Sequence, residues 1–452
     1  MKNNSVMNKL KSLIIILFLG IGMNAVAQSE SSVMTLQQAI DYALKNNPAL
    51  KNAGLDVEIA RKKVQETTAI GLPQINAQID YTGQPQIPTT VVPNFVDPNG
   101  PPLEFQMGIS HTGLAKINAN WLLVDGTYFL GLKAAKQYVE LASRMRAGTE
   151  VDTRVNVSQA YYMALIADQT IVAMDSNIIT LQKTHDDIKA LFEAGFAEKI
   201  DVSRLALQLN NLKIQRQQME NQRQFAYRIL KFQMGMNVDA PLTLNDKLEN
   251  LMTTASTMDT SAKAIMTNRP EYQILAQSQV LNNMNVQRYQ MGYLPSLSAF
   301  GSHQQNTFAT DGNFGDLGNK FYGGTMWGLS LRVPIFSGFQ RNALVQQARL
   351  ETVKTKNDLN NLESAIQNDV FNGKNNYITA KQTVENQRQN YELSIEIREI
   401  ALAKYQEGVG TSLEVTTANS DLLQAETNYL SAIYDLLVAE IQYKKALGLL
   451  NK

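Results

Sequence analysis

The chain has 452 residues, with 41 Lys and Arg against 41 Asp and Glu, and no cysteine. Balanced charge argues against a nucleic-acid partner, which normally leaves a basic excess. The missing cysteine excludes disulfides, thiolate metal sites, a cysteine nucleophile and a lipid anchor on an N-terminal cysteine.

Lys2, Lys9 and Lys11 precede a short apolar run from Leu13 to Met23, and Ala25-Val26-Ala27 follows as a small-x-small cleavage site before Gln28. Residues 1–27 are expected to be a secretory signal, because the run is too short for the roughly 20 residues of a membrane-spanning helix. No later stretch is long and apolar enough to cross a membrane as a helix. A helix is expected from Thr35 to the Leu72-Pro73 pair. Two strands follow, at about 73–83 and 113–124, separated by a loop holding Pro85, Pro88, Pro93, Pro98, Pro101 and Pro102. From Gly126 to Phe192 there is no proline and helix formers are frequent. A single helix of about 67 residues, roughly 100 Å long, is expected there. Its later part carries a 3–4 rhythm of Ile171, Met174, Ile178, Leu181, His185 and Ile188. A glycine turn leads into a return helix with Leu205, Leu209, Leu212 and Arg216 at the same spacing. Residues 237–256, with Pro241 and clustered Thr, Asn and Asp, read as a linker or small packing element.

The order then recurs. Asn46-Asn47-Pro48 is matched by Asn268-Arg269-Pro270, Gly71-Leu72-Pro73 by Tyr293-Leu294-Pro295, Phe192-Glu193-Ala194-Gly195 by Tyr405-Gln406-Glu407-Gly408, and Met234-Gly235-Met236 by Leu447-Gly448-Leu449. Residues 28–236 and 257–452 therefore read as two copies of one plan. The second has a helix from about Met258, strands at about 295–303 and 326–334, a long helix, a turn and a return helix. That last helix has the clearest seam, Val415, Ala418, Leu422, Ala425, Tyr429, Ala432, Leu436, Ala439 and Tyr443. A 3.5-residue period is a coiled-coil pattern, and alanine allows close approach. Return and N-terminal helices together roughly equal one long helix, which predicts four helical columns per chain. Such columns need neighbours on both sides, so an oligomer is expected.

In the strands the period falls to 2. Ile75, Ala77, Ile79 and Tyr81 alternate with Asn76, Gln78 and Asp80; Ala115, Ile117, Ala119 and Trp121 alternate with Lys116, Asn118 and Asn120. Trp327, Leu329, Leu331 and Val333 alternate with Gly328, Ser330 and Arg332, and Leu297 and Ala299 more weakly with Ser296 and Ser298. Alternation fits a half-buried sheet of a soluble protein or a membrane barrel, apolar outward and polar inward. With an export signal and no spanning helix, the barrel is the favoured reading. Four strands cannot close one, but three chains would supply twelve.

Enzyme chemistry has little support. The three histidines have no metal spacing, Asp311–Asp316 lacks the final Glu of a calcium loop, and there is no nucleophile elbow or phosphate loop. No cofactor is expected. The runner-up to a channel is a periplasmic or surface coiled-coil scaffold or adhesin.

Thr35-Leu36-Gln37-Gln38-Ala39-Ile40, leading to Ala43-Leu44 and Asn47-Pro48, resembles the opening of the outer-membrane efflux protein family, the TolC-like channels. The Leu-Pro pairs before the strands, and the glycine-containing hairpin tips followed by an acidic residue and Val, are similar to it too. The resemblance covers nearly all of residues 28–452. It implies an α+β membrane protein of the Gram-negative outer membrane: a homotrimer whose twelve-stranded barrel, four strands per chain, sits in outer-membrane lipid and continues into a helical coiled-coil periplasmic tunnel. It implies a passive duct for efflux or type I secretion, docked to a periplasmic adaptor (membrane fusion protein) and an inner-membrane pump or exporter. By the same resemblance Gly195, Phe196, Ala197, Gly408, Val409 and Gly410 lie at adaptor-contacting tips, and Glu414, with Asp201, is a candidate for the periplasmic gate. Without it, a carboxylate in a first helical turn is ordinarily a dipole or capping feature. The chain departs from the family where a second acidic gate position is Thr417 and a basic latch position is Gly410.

Overall fold

The computed structural model describes residues 32–97, 99–262, 265–309 and 314–450. The expected export signal and Asp311, Gly312 and Asn313 lie outside them. The elements are β1 (Ser32–Met34), α1 (Leu36–Asn46), α2 (Pro48–Ile70), β2 (Gln74–Gly83), β3 (Thr89–Val92), β4 (Leu103–Gln106), β5 (His111–Val124), α3 (Gly126–Glu193), α4 (Lys199–Met234), β6 (Leu242–Leu244), α5 (Leu248–Ser256), α6 (Pro270–Met291), β7 (Ser296–Ala309), β8 (Tyr322–Arg332), α7 (Gln340–Gln406) and α8 (Ser412–Leu447). They fall into two compact units. One takes the described part of Met1–Pro48 with Thr153–Thr260 and Gly373–Tyr443, the other Ala49–Asp152, Ser261–Asn372 and the described part of Lys444–Lys452.

The first unit is helical with a two-stranded parallel sheet of β1 and β6. Residues 237–256, expected as a linker or small packing element, carry β6 and α5. Three-residue strands are too short to show a period, and the partner of β6 lies some two hundred residues away in sequence, so pattern reading could not find this pairing. Thr35 and Gln38 close a capping box on α1. Asp246 Oδ2 accepts the Leu36 N–H at 2.6 Å and the hydroxyl of the fully buried Tyr161 at 2.8 Å. The expected α8 seam is buried at Val415, Ala418, Leu422, Ala425, Ala432, Leu436 and Tyr443. A second buried row, Ile433, Leu437 and Ile441, lies beside it. A helix buried on so wide a stripe has neighbours on more than one side.

The helix expected to run unbroken from Thr35 to Leu72 is two helices. Pro48 has no N–H and pushes its predecessor out of the helical region, and Asn47 has ψ 125°. The Asn47 side-chain amide instead donates to the Gln233 carbonyl at 2.7 Å, at the end of α4. Gly235, just beyond α4, sits close against the Asn46 carbonyl and the Asn47 backbone. In the second unit Gly448 likewise lies against Asn268 and Arg269. The paired sequence landmarks therefore meet: in each half, the turn before the helix proline touches the glycine after the return helix. The second-half helix begins at Pro270 rather than Met258, after a 3-10 turn at Met266–Asn268.

In the second unit β2, β5, β7 and β8 form an antiparallel sheet in that order. Three of its strands differ from expectation. β7 runs on to Ala309, β5 begins at His111 and β8 at Tyr322. The extensions pair Thr112 with Phe308 and Asn306 with Tyr322, where side chains follow no alternation but the backbone ladder continues. The proline-rich loop also holds an unanticipated β3–β4 hairpin. Beneath the sheet α2 packs on α3 through Val57, Ala60 and Ala142. Gln277 of α6 donates to the Gln137 carbonyl of α3 at 3.0 Å, and Asn282 of α6 to Thr355 Oγ1 of α7 at 2.7 Å.

Candidate functional site: an uncovered sheet and two hairpin tips

The strand register brings every apolar row onto one face. Ala77 faces Ile117, Ala119 faces Gly301, Gly301 faces Trp327, and Leu297 faces Leu331. The polar rows share the other face, with Asn76 opposite Asn118, Gln78 opposite Lys116 and Ser298 opposite Ser330. Neither face is covered: on the apolar one Ile79 is 86% and Trp327 85% exposed. Leaving Ile75, Ile79, Ile117, Trp327, Leu329 and Leu331 in water forgoes on the order of 10 kcal/mol. That is comparable with the whole stability of an ordinary domain. Among the described residues each edge strand, β2 and β8, has one neighbour. Long flat edges of this kind pair with another chain unless blocked.

The tips lie in the first unit. At Gly195 (φ 83°) and Gly408 (φ 76°) the backbone turns left-handed, where glycine is unstrained. Phe196 N–H donates to the Leu191 carbonyl at 2.8 Å, and Val409 and Gly410 N–H both donate to the Lys404 carbonyl at 3.0 Å. These bonds close the two turns. They leave Phe196 and Val409 projecting, each about four-fifths exposed. Ala197 instead packs back on the Leu181, Ile188, Leu205 and Leu209 cluster. Gly410 is pressed onto the end of α7, where a Cβ would stand 2.9 Å from Lys404 Cβ and 3.0 Å from Tyr405 N. A side chain does not fit there without moving the turn.

The two acidic candidates are placed differently. Asp201 closes a capping box with Glu198 and accepts a hydrogen bond from the hydroxyl of Ser412, which is buried. It therefore ties the first tip to the second. Glu414 N–H is capped by Thr411 Oγ1 at 3.3 Å, and its carboxylate is exposed. Ser412 carries no local signal for this bond, because its partner lies 211 residues away in the chain. Tyr405 packs against the clusters of both hairpins. Burial first, and the Asp201 charge second, raise its phenol above the ordinary value, so it stays protonated. Gln208 of α4 adds a further tie to α8, donating to the Thr416 carbonyl at 3.0 Å and to Ser420 Oγ at 3.1 Å.

Above the first tip α3 and α4 are clamped by Arg216, whose Nε and Nη2 donate to the two Asp175 oxygens at 2.9 and 3.1 Å. A charged residue inside an otherwise apolar seam was the visible sequence signal for this pair. The Arg216 hydrogen bonds hold the Asp175 carboxyl below its ordinary value. Its folded pKa is thus lower than its unfolded one. The contribution is complete above the unfolded pKa of about 4 and is lost as pH falls through the folded one. The pair is partly exposed, so screening keeps it to about 1 kcal/mol or less. The melting temperature of the chain is expected to fall between pH 6 and pH 3 by more than that of Asp175→Asn, measured by circular dichroism. Parallel curves would remove the pair from the pH response.

Comparison with known proteins adds the following. A sequence profile of the family described as outer membrane efflux protein matches residues 39–236 and 262–449. The chain is 22% identical over 419 residues to the outer membrane protein TolC of Vibrio cholerae, covering 92% of this chain and 91% of that one. It is also 22% identical over 430 residues to the toluene efflux pump outer membrane protein TtgF of Pseudomonas putida, covering 91% and 83%. The fold is similar to that of CusC, with a TM-score of 0.72 at 16% identity over 94% of this chain and 95% of that one.

Proposed function

The chain belongs to the outer membrane efflux protein family and lies in the outer membrane, and from that premise we propose that it is the exit duct of a tripartite efflux or type I secretion system. Residues 1–27 are its export signal, and 28–236 and 257–452 are two copies of one plan joined by 237–256. Three chains join their four-stranded sheets edge to edge into a twelve-stranded barrel, and their helices form the periplasmic tunnel. The observation that carries this reading is the sheet itself, apolar on one face, polar on the other and, among the described residues, uncovered on both with two open edges. Lipid covers the apolar face, water fills the polar side, and neighbouring chains satisfy the edges.

The duct is passive and carries no catalytic machinery. Its hairpin tips, Gly195 to Ala197 and Gly408 to Gly410, contact the periplasmic adaptor, with Phe196 and Val409 as the exposed apolar anchors. An inner-membrane pump or exporter supplies the energy. The toluene efflux protein is no nearer in sequence than TolC, so likeness does not select the cargo. Glu414 rings the tunnel's periplasmic mouth in three copies, where converging carboxylates attract cations and repel one another. Asp201, engaged by Ser412, braces the tips beneath that ring.

Reconstitution into planar bilayers tests the reading. The chain is expected to conduct with a preference for potassium over chloride, and Glu414→Ala to shift the reversal potential in a salt gradient toward zero. An unchanged reversal potential would remove Glu414 from the gate, and no conductance at all would sink the duct.

A further inference from the structure

A cavity of about 990 Å3 opens in the second unit where α2, α3, α6 and α7 meet the sheet. Its walls are largely apolar, with Ile70, Leu122, Tyr138 and Leu281 among them. Gly131 of α3 forms part of the wall, and a Cβ built there meets nothing within 4 Å, so the space reaches the helix backbone. Leu122 lies one residue from Trp121 of the apolar row and opposite Ser298 of the polar row. The strand residue in its wall thus belongs to the polar row of the sheet.

Its charge is one-sided. Lys63, Arg288 and Arg341 line it against a single carboxylate, Asp125. Asp125 is already engaged, accepting the Tyr128 N–H at 3.0 Å and the Thr127 hydroxyl in capping α3. Lys63 is paired with Glu66 at 2.7 Å. Arg288 lies 5.1 Å over the Tyr289 ring, and neither it nor Arg341 meets a carboxylate within ion-pairing distance among the described residues. Two guanidiniums without a carboxylate partner, beside an apolar wall, suit a planar anionic group carried on an apolar body, because the guanidinium fork matches carboxylate and sulfonate oxygens. A cavity of this size is within the range of small-molecule sites.

We propose that this cavity is a binding site for amphipathic organic anions passing through the protein, with Arg288 and Arg341 holding the anionic group and the apolar wall its body. The assignment of the occupant to transported solutes rests on the duct reading, in which the polar side of the sheet is the lumen.

The test is equilibrium binding to the full chain in amphipol, followed by probe fluorescence anisotropy. The probes are naphthalene-2-sulfonate and a naphthyl-trimethylammonium cation of similar size. The anion is expected to bind about tenfold more tightly than the cation, the scale of one charge-assisted contact. Arg288→Gln with Arg341→Gln should abolish that preference, and Gly131→Trp should weaken both probes by filling the cavity. Equal affinity for the two probes, no binding, or a preference that survives the double substitution would overturn the site. Tighter binding of a short-chain phosphatidylglycerol, displacing the sulfonate, would assign the cavity to lipid and overturn the solute reading. Potassium conductance of each variant reports its folding. Its absence in the unmodified chain defeats the duct while the binding result still stands or falls by itself.

Discussion

Ile117→Arg is expected to prevent accumulation of folded chain in the outer membrane, whereas Asn118→Arg, one residue on, should be tolerated. Ile117 lies midway along β5, between Ala77 of β2 and His303 of β7, on the apolar face. Asn118 lies between Asn76 and Ser302 on the polar face. An arginine facing lipid near the bilayer midplane costs about 2–4 kcal/mol, and one facing the lumen costs little. In a barrel of three chains the cost is incurred three times, roughly 6–12 kcal/mol, which rivals the stability of a typical domain. The measurement is the yield of heat-modifiable oligomer in the detergent-soluble membrane fraction. Wild-type yield for Ile117→Arg, or equal loss in both variants, would show that the two faces do not meet lipid and water.

Asp246→Ala should destabilise the helical unit markedly. One carboxylate oxygen accepts both the amide that starts α1 and the hydroxyl of a tyrosine with no exposed surface. Burial above all, then the hydrogen bond to Asp246, raises the Tyr161 phenol well above its ordinary value, so it is a donor at any working pH. Removing the acceptor strands two donors at about 1–3 kcal/mol each. The Met34 carbonyl, 3.1 Å from the same hydroxyl, offers the phenol a second partner. The expected net loss is therefore about 2–3 kcal/mol rather than the full sum. Asp246→Asn keeps an acceptor and should lose less than half as much. Thermal unfolding in detergent measures both. A melting temperature for Asp246→Ala within a degree of wild type would mean that the strand pairing, not the carboxylate, anchors the start of α1.

The helices were legible because their burial repeats locally. Leu205, Leu209 and Leu212, or Val415, Ala418 and Leu422, declare a buried stripe within a few turns, and they are buried. Asn47-Pro48 also carried its own warning, since proline disfavours the helical region for its predecessor. At the tips, glycine spacing located both turns. Nothing local distinguished Asp201 from Glu414, which are both acidic residues in a first helical turn. Only the approach of Ser412, more than two hundred residues away, commits Asp201 to a structural bond and leaves Glu414 exposed.

Taken alone, the sequence determined where the long helices and alternating strands lie, which strand residues share a face, and that this chain by itself cannot cover what it exposes. Those are properties of nearest neighbours and of period, set by backbone geometry and side-chain size. Tertiary structure alone decided the strand order β2–β5–β7–β8, the β1–β6 pairing, and the clamp of Arg216 on Asp175. It also placed Arg288 and Arg341 in the wall of one cavity. Each of these joins residues far apart in the chain, and such pairings depend on which partner surface is left after the local elements have formed, which no local pattern encodes.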